Sequence, residues 1–451
     1  MIDLRPLKPQ LENKPIAIVG LGKSGLATHH ACVAAKIETV LWDDIPAIRE
    51  RFLTEDLRQA DFGRFSLLCL SPGIPLTHPQ PSPCAVQAQQ AGCPIVCDID
   101  IFHRAYPHMK TIGITGTNGK STTTALISHI LKTAGIESAV GGNIGRAALD
   151  LPQLSDNGVY VFELSSYQLD LCPTFAPDIS ILINLSPDHI ERHGDMAGYI
   201  AAKKKIFRGN GTAIIGIDDD WSKEVYADIK KTQRKTLSIS CDGAADIAVS
   251  PDGILAGFDL KQCKNLQGPH NWQNAAMAYA ACKAQGVSDA TIFEGLKSFP
   301  GLAHRQNIVA VYNGINYVND SKATNDQAAA TALRAYDPIY WIAGGKPKDG
   351  GYPDCEKYIG HVRHAFLIGE AEEKMAAWLE TQKVPFTRCG TMDRALAEAH
   401  AMAQQEKCKN ASVLLSPACA SFDQFKNFEQ RGEIFSDLVA KLASVKTEAH
   451  A

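Results

Sequence analysis

Short apolar runs recur along the whole chain, and each is followed by a longer stretch in which apolar and polar residues mix. The first hundred residues contain four such runs, with the sequences IAIV, ETVLW, SLLCLS and CPIVCD. Runs this short, separated by helix-length segments, are typical of buried strands in parallel βαβ units. The pattern predicts an α/β fold of mainly parallel sheets with flanking helices.

This alternation restarts twice further along the chain. One restart is KTIGITGTNGKSTTTALISHIL, and the other follows FPGLAHR. A chain of 451 residues has room for about three domains. We therefore predict domains at 1–98, 99–303 and 304–451, the first and last Rossmann-like and the middle one an ATPase with a phosphate loop. Short strands with turn signals between 212 and 259 predict a small antiparallel insert in the middle domain.

Composition narrows the functional classes. The net charge is -4, and we find no apolar run of about 18 residues, so binding to nucleic acid or a membrane is not expected. Residues 1–14 lack the apolar core of a signal peptide. The 13 cysteines form no C-x-x-C pair, which favours reduced, mostly buried thiols. We expect a cytoplasmic protein, monomeric, with small-molecule substrates.

A glycine-rich turn follows the first apolar run directly, in the segment KPIAIVGLGKSG. Gly20, Gly22 and Gly25 have the spacing G-x-G-x-x-G of a loop that holds a dinucleotide pyrophosphate at a helix N-terminus. Asp43 and Asp44 end the next run, about where a ribose-binding acid falls. Taken alone, this segment favours an NAD-dependent oxidoreductase, which stays an alternative.

A second phosphate loop, TGTNGKST, lies between an apolar run and a predicted helix. Backbone N–H groups of such a turn converge on anionic oxygens, while Lys120 supplies a charge and the Ser121 hydroxyl can ligate magnesium. Ile114 stands where the common G-x-x-x-x-G-K-[ST] pattern has its first glycine. The residues predicted to bind a triphosphate are Gly116, Thr117, Asn118, Gly119, Lys120, Ser121 and Thr122.

Two candidate metal ligands follow later apolar runs. Glu163 ends GVYVFE, where a buried carboxylate needs a cation such as a metal or a basic side chain, and His189 follows ILINLSPD. His189 and His193 stand four apart, as in the zinc motif H-E-x-x-H, but Ile190 replaces its glutamate. The sequence therefore favours a magnesium site over a zinc hydrolase.

Helical spacing in GYIAAKKKIFRG places Lys203 on one face with Tyr199, Ile206 and Phe207, while the two following lysines face away. Desolvation lowers the pKa of a lysine on a buried stripe. A neutral amine can react with carbon dioxide, and the resulting carbamate could ligate magnesium. The alternative is a lysine that extends its amine to solvent.

Several longer motifs together resemble the Mur ligases of peptidoglycan synthesis, over essentially the whole chain. They are GTNGKS, ELSSYQL, SPDHIERH, AAKKKI, GPHNWQN, LAHR, NDSKATN and LLSPACASFDQFKNFEQRG. The resemblance implies an N-terminal domain for a UDP-sugar substrate, a central ATPase and a C-terminal domain for an amino acid. It implies ATP and Mg²⁺ (two metal sites) as cofactors, and joining of D-glutamate to UDP-N-acetylmuramoyl-L-alanine through an acyl phosphate. The first glycine loop would then hold uridine diphosphate.

The resemblance also implies roles for individual residues. Those at the chemical step would be Lys120, His189 and Lys203. Those holding metal would be Ser121, Glu163, His189 and carbamylated Lys203. Those reaching the nucleotide outside the phosphate loop would be Asn271, Asn274, Arg305 and Asp320. Those facing the UDP substrate would be Gly22, Ser24, Ser71, Asn143 and Gln168. Those forming the D-glutamate pocket would be Lys322, Thr324, Lys348, Ser421 and Phe428.

Two features bear on which substrates the resemblance implies. Asp44-Ile45 stands where a Thr-Arg pair is expected near the uridine, and the D-N-P-R motif of relatives that add diaminopimelate or lysine is absent. The missing motif favours glutamate as the incoming amino acid. Folylpolyglutamate synthetase stays the nearest rival, since it also adds a glutamate through an acyl phosphate, but of the L configuration and without UDP.

Overall fold

The computed structural model describes residues 1–347 and 350–448, with side chains as far as residue 442. The chain divides into two compact units, Met1–Phe299 and Pro300–Ala451. The first unit contains two separate parallel sheets, and the second unit contains one further sheet. The α/β architecture predicted from the apolar runs is therefore confirmed, while the predicted three-domain boundaries stay a prediction.

The first sheet has four parallel strands in the order β2-β1-β3-β4. β1 and β3 are buried throughout and β2 and β4 in part, as expected where helices cover a parallel sheet. The strands are β1 (Ile16–Val19), β2 (Thr39–Trp42), β3 (Leu67–Leu70) and β4 (Ile95–Val96). The helices of this part are α1 (Lys23–Ala34), α2 (Pro46–Arg49), α3 (Pro83–Gln90) and α4 (Asp98–Ala105).

The second sheet has seven parallel strands in the order β11-β10-β9-β8-β5-β7-β6. The strands are β5 (Lys110–Thr115), β6 (Ser138–Gly142), β7 (Val159–Glu163), β8 (Ile179–Leu182), β9 (Thr212–Gly216), β10 (Thr236–Ser240) and β11 (Ile247–Ala248). The helices are α5 (Lys120–Thr133), α6 (Ser166–Asp170), α7 (Ile190–His193), α8 (Met196–Lys204), α9 (Asp220–Lys230), α10 (Pro269–Ala284) and α11 (Asp289–Ser298).

The predicted antiparallel insert is much smaller than expected. Between residues 212 and 259 the antiparallel pairing consists of β12 (Ile254–Leu255) with β13 (Phe258–Asp259) and one isolated bridge between Val249 and Leu255. The segment from β9 to β11 instead extends the parallel sheet, because α9 carries the chain back between β9 and β10. Asp219 caps α9 by accepting a hydrogen bond from the backbone N–H of Ser222, at 2.8 Å.

The second unit has a six-stranded sheet in the order β14-β15-β19-β16-β17-β18, parallel except for the pair β14 and β15. The strands are β14 (Asn307–Tyr312), β15 (Ile315–Asn319), β16 (Ile339–Gly344), β17 (Val362–Ile368), β18 (Phe386–Gly390) and β19 (Ser412–Leu415). The helices are α12 (Asp326–Ala335), α13 (Pro353–Glu356), α14 (Glu372–Thr381), α15 (Met392–Glu406) and α16 (Phe428–Glu448). Within the described ranges, none of the helices has the length and apolar character needed to cross a bilayer.

Candidate active site

The second glycine loop joins the C-terminal end of the central strand β5 to the start of α5. Gly116 and Gly119 have φ angles of +151° and +83°, which side chains rarely adopt. A Cβ atom on Gly119 would lie 2.2 Å from Oδ1 of Asn274, so the loop also needs glycine for close packing. The predicted strand–loop–helix arrangement is present, and the helix N-terminus supplies N–H groups for an anion.

Asn184, which the sequence analysis did not predict as a site residue, forms hydrogen bonds with the backbone of this loop. Its carbonyl oxygen accepts the N–H of Thr117 and its side-chain oxygen accepts the N–H of Asn118, both at 2.9 Å. Its amide donates to Gln273, at 3.3 Å. These two loop N–H groups are therefore used inside the protein.

Two lysine amines meet at one carbonyl oxygen of the loop. Nζ of Lys120 donates to the carbonyl oxygens of Gly116 and Thr117, at 2.9 and 2.7 Å. Nζ of Lys203 donates to the same Gly116 oxygen at 2.8 Å. The side chain of Lys203 is buried, and this burial, together with the charge of Lys120, holds its pKa well below the usual range.

The helical stripe predicted around Lys203 is confirmed. Tyr199, Ile206 and Phe207 are all buried, and the Tyr199 hydroxyl lies 3.0 Å from Oγ1 of Thr117 in the phosphate loop. Lys204, the next residue on α8, instead forms a surface ion pair with Asp228. The structure thus excludes the alternative in which Lys203 extends its amine to solvent.

Glu163 is a buried carboxylate next to the phosphate loop. It ends β7, which pairs with β5, and its residue is 2% exposed. Oε1 accepts a hydrogen bond from Nδ2 of Asn143 at 2.7 Å, whereas the buried Oε2 has no hydrogen-bond partner in the part of the chain that the structure describes. An unpartnered carboxylate oxygen in this position is costly, and a bound cation would satisfy it.

His189, the other predicted metal ligand, is more open. Its side chain is 47% exposed, and its ring nitrogens lie 3.5 Å from Asp188 and 3.9 Å from Glu191. No group of three His, Cys, Asp or Glu side chains that could hold a metal ion occurs within residues 1–347 and 350–448. Mg²⁺ fits such a site better than zinc, because it is commonly held by one or two carboxylates plus substrate phosphates and water.

His193 belongs to a buried network that the sequence analysis did not predict. Its Nε2 lies 2.9 Å from Oγ of Ser166, and its Nδ1 lies 3.4 Å from Oδ2 of Asp170. These are the residue types of a hydrolytic triad, but Ser166 is 2% exposed, so a substrate carbonyl cannot reach it. The network holds α6 against α7.

At the first glycine loop, the carboxylate of Asp43 is occupied by backbone N–H groups of the protein itself. The two Asp43 carboxylate oxygens accept the backbone N–H groups of Leu21 and Ile45, at 2.7 and 2.9 Å. Asp43 therefore stabilises the turn, which disfavours a ribose-binding role. Added Cβ atoms would collide at Gly20 and Gly25, but that of Gly22 would meet open space, where a diphosphate can approach.

The predicted UDP-substrate residues lie in the first unit. Oγ of Ser71 donates to the carbonyl of Gly20 at 2.8 Å, so this serine is part of the glycine-loop wall. Ser24 lies in the first turn of α1 and is half-buried. The Gln168 side chain is engaged in a capping box with Ser165. Asn143 lies instead at Glu163, beside the phosphate loop.

The predicted nucleotide contacts of α10 pack behind the phosphate loop. Asn274 is buried, accepts a hydrogen bond from Thr123 at 3.2 Å and donates to Asn271 at 3.3 Å. These contacts fix α10 against α5. Roles of the two asparagines toward adenine stay predictions.

In the second unit, two of the predicted amino-acid-pocket residues are in direct contact. Nζ of Lys322 lies 3.8 Å from the ring centroid of Phe428, a cation–π contact. The N–H of Thr324 donates to the Lys322 carbonyl at 2.8 Å, and Ser421 is buried. Lys348 lies outside the described residues.

Arg431 is a buried residue that the sequence analysis did not predict. It connects the loop that contains Ser321 with the loop that contains Cys419. Its guanidinium donates to Oγ and the carbonyl oxygen of Ser321, at 2.9 and 2.8 Å, and to the Cys419 carbonyl at 3.1 Å. These residues are neighbours of Lys322 and Ser421, so Arg431 sets the spacing of the two loops.

Asp320 is the predicted nucleotide contact that follows β15. Its carboxylate accepts hydrogen bonds from Ser416 at 2.7 Å and from the N–H of Gln306 at 3.1 Å. Burial raises the pKa of Asp320 to about 7, although Arg305 opposes this shift. The nucleotide roles of Arg305 and Asp320 stay predictions.

Comparison with known proteins places this arrangement in a family. Residues 114–282 match the Mur ligase middle domain. The chain is 47% identical to the UDP-N-acetylmuramoylalanine–D-glutamate ligase of Paramagnetospirillum magneticum, across 96% of this chain and 97% of that protein. It is 45% identical to the enzyme of the same name from Rhodospirillum rubrum, across 100% and 99%. The crystal structure of a UDP-N-acetylmuramate-alanine ligase from Thermotoga maritima has a similar fold, with a TM-score of 0.59, 16% identity and coverage of 96% and 100%. The chain therefore belongs to the Mur ligases, in the family of the UDP-N-acetylmuramoylalanine–D-glutamate ligases.

Proposed function

We propose that this chain is an ATP-dependent ligase that joins D-glutamate to UDP-N-acetylmuramoyl-L-alanine, a step in the synthesis of peptidoglycan precursors. Family membership over the whole chain supports the reaction. The structural observation that carries the proposal is the phosphate loop with Lys120 and the buried Lys203 at the carbonyl of Gly116. An NAD-dependent oxidoreductase would have no use for this second loop.

The reaction needs no nucleophile from the protein. The L-alanine carboxylate of the UDP substrate attacks the γ-phosphorus of ATP, which forms an acyl phosphate and releases ADP. The amine of D-glutamate then attacks the acyl carbon, a proton leaves the nitrogen, and inorganic phosphate departs. Catalysis of such a phosphoryl transfer consists mainly of positioning and electrostatic stabilisation.

Lys120 and the start of α5 would stabilise the negative charge that moves during the first step. The Lys120 amine lies at the mouth of the loop, where it can leave the carbonyls of Gly116 and Thr117 for phosphate oxygens. The N–H groups at the helix start add a fixed positive potential.

The residues present fit a magnesium site. Glu163 offers a buried oxygen without a partner among the described residues, and Ser121, His189 and a carbamate on Lys203 would be the other protein ligands of two magnesium sites. Magnesium there would neutralise charge on the phosphate oxygens. A neutral Lys203 amine is the form that reacts with carbon dioxide, and the low pKa of Lys203 supports that modification.

Substrate recognition would divide between the two units. Gly22, Ser24, Ser71, Asn143 and Gln168 would serve the UDP substrate in the first unit. The D-glutamate pocket in the second would contain Lys322, Thr324, Lys348, Ser421 and Phe428. The Lys322 amine, next to the Ser321 that Arg431 holds, suits a dicarboxylic amino acid. We expect a monomer that acts on these small molecules in the cytoplasm.

The test is phosphate release from ATP and Mg²⁺ with UDP-N-acetylmuramoyl-L-alanine and either D- or L-glutamate. Release that requires both the UDP substrate and the D isomer, with matching ligated product, supports the proposal. Release with L-glutamate and a folate acceptor would instead support a folylpolyglutamate synthetase. Absence of release with every combination would contradict ligase activity.

A further inference from the structure

Arg192 makes an unusual set of contacts for a residue of the short helix α7. One guanidinium nitrogen, Nη1, donates to the carbonyl oxygen of Gly73 at 3.0 Å. The other, Nη2, donates to the carbonyls of Pro72 at 2.9 Å and Ile74 at 2.5 Å. Three consecutive carbonyls of the loop after β3 therefore converge on one side chain from the part of the unit that carries the phosphate loop.

The segment that Arg192 holds is a tight turn against the first glycine loop. The N–H of Ile74 donates to the Ser71 carbonyl at 2.9 Å, which closes the turn, and Oγ of Ser71 donates to the Gly20 carbonyl. A Cβ atom on Gly20 would lie 2.6 Å from Cβ of Ser71 and 2.8 Å from Cδ1 of Ile74. With so little space, a shift of the turn must shift the glycine loop.

The other face of the Arg192 guanidinium rests on Tyr167, at 4.7 Å from the ring centroid. The same ring lies 5.0 Å from the ring of His189 and 5.7 Å from that of His193. Arg192 and His189 thus both contact the ring of Tyr167, which lies on α6; we call this ring the platform. The platform connects the turn at Ser71 to the candidate metal site.

We propose that Arg192 is a positioning residue that sets the first glycine loop, and the UDP moiety bound to it, in register with the phosphate loop. The inference rests on the proposed function, which assigns the UDP substrate to the glycine loop. Arginine suits this role because its planar guanidinium reaches several acceptors at once, whereas a lysine amine presents a single point of contact. Arg192 itself touches no reacting atom.

The experiment compares the full-length chain with its variants Arg192→Met and Arg192→Lys. Binding of UDP-N-acetylmuramoyl-L-alanine is measured by calorimetry without ATP, and KM is then measured for each substrate. Loss of charge-assisted hydrogen bonds should raise Kd and KM for the UDP substrate about tenfold in Arg192→Met. KM for ATP should stay unchanged, and Arg192→Lys should recover part of the affinity. Arg5→Met, which removes an exposed guanidinium paired with Asp3, is the matched control and should behave as the unmodified chain.

Each result separates the inference from its alternatives. Unchanged affinity of Arg192→Met for the UDP substrate would overturn the inference, as would an equal rise of both KM values, which indicates a general structural role. If Arg192→Met fails to fold, the test uses Arg192→Lys: a higher KM for the UDP substrate with an unchanged KM for ATP supports the inference, and equal changes of the two KM values overturn it. Absence of UDP-substrate binding by the unmodified chain would overturn the proposed function, and the inference with it.

Discussion

At the scale of the residue, the central feature is a pair of amines at one carbonyl. Lys120 and Lys203 both donate to the Gly116 carbonyl, and two positive charges would repel each other in this buried place, so burial and the charge of Lys120 lower the pKa of Lys203 and favour its neutral amine. Conversion of this neutral amine to a carbamate would place a negative charge beside Lys120. The modification would therefore give Lys120 an opposite charge and supply a carboxylate-like ligand at the same time.

Lys203→Ala should lower kcat on the order of a hundredfold or more, because a proposed ligand of the magnesium that neutralises charge on the phosphate oxygens is lost. A short carboxylic acid should restore part of the activity by taking the place of the carbamate. The direct measurement is ¹³C NMR with labelled bicarbonate, in which the unmodified chain shows a carbamate carbon that Lys203→Ala lacks. Lys204→Ala, which removes a surface ion pair one residue along α8, should match the unmodified chain in both assays. Full activity of Lys203→Ala would remove Lys203 from the site.

The roles of Asn184 and Arg431 in holding loops could not be predicted from their residue types. An asparagine after an apolar strand and an arginine in a C-terminal helix are common, and their roles here depend on contacts far apart in sequence. The glycine loop and Lys203 could be predicted because local spacing specifies them. The exposure of His189 could not, because it depends on the left-handed backbone at that position.

At the scale of the element, α5 is bounded by two glycines in left-handed conformation. Gly119 precedes its first turn at φ +83°, and Gly135 follows its last turn at φ +69°. The two positions carry the same kind of backbone strain when substituted, but only Gly119 has a neighbour, Asn274, in the way of a Cβ atom. Substitution of Gly119 and of Gly135 therefore separates the effect of backbone strain from that of a steric clash.

Gly119→Ala should abolish measurable ATP binding, because Asn274 must move and the loop with it. Gly135→Ala should cost only about 1 to 2 kcal/mol of stability from the left-handed backbone, and should keep KM for ATP. Nucleotide binding by calorimetry and thermal unfolding of both variants check this. Equal effects of the two substitutions on ATP binding would contradict the steric explanation.

The elements themselves could be predicted where apolar runs are long, as for β5, β7 and β16. The pairing direction of the strands between residues 212 and 248 could not be predicted, because the sequences of short strands are similar whether their partners are parallel or antiparallel. The deciding element is α9, which the sequence analysis did not predict although its buried residues Val225 and Ile229 stand four apart and Asp219 caps it. Pairing direction is thus settled by the connection between strands rather than by the strands.

At the scale of the whole molecule, a buried carboxylate connects the two parts of the first unit that carry its two sheets. Oδ2 of Asp98, at the start of α4, accepts the N–H of Ala148 at 3.0 Å, and Oδ1 is buried without a hydrogen-bond partner among the described residues. Burial raises the pKa of Asp98 to about 6. The stability of the first unit is therefore linked to pH through this group.

Between a pH of about 4 and about 6 the folded protein holds a proton on Asp98 that the unfolded chain has released, so its free energy of unfolding falls as pH rises through this window. Asp98→Asn keeps an acceptor for Ala148 but cannot ionise. The Tm of Asp98→Asn relative to the unmodified chain should therefore increase from pH 4 to pH 7, by an amount that corresponds to about 2 to 3 kcal/mol. Thermal unfolding across this range checks it, with Asp156→Asn in an exposed turn as the control. A constant difference in Tm would contradict the linkage.

The contacts of Lys120 also determine which ions the phosphate loop can select. Its amine already satisfies two carbonyls of the loop, at 2.9 and 2.7 Å, so any ligand must draw it away from an internal competitor. A singly charged ion such as chloride gains too little to replace those bonds, whereas a triphosphate offers several charged oxygens at once. The affinity of the loop should therefore rise steeply with the number of charged oxygens on the anion, and chloride should compete only weakly with a polyphosphate.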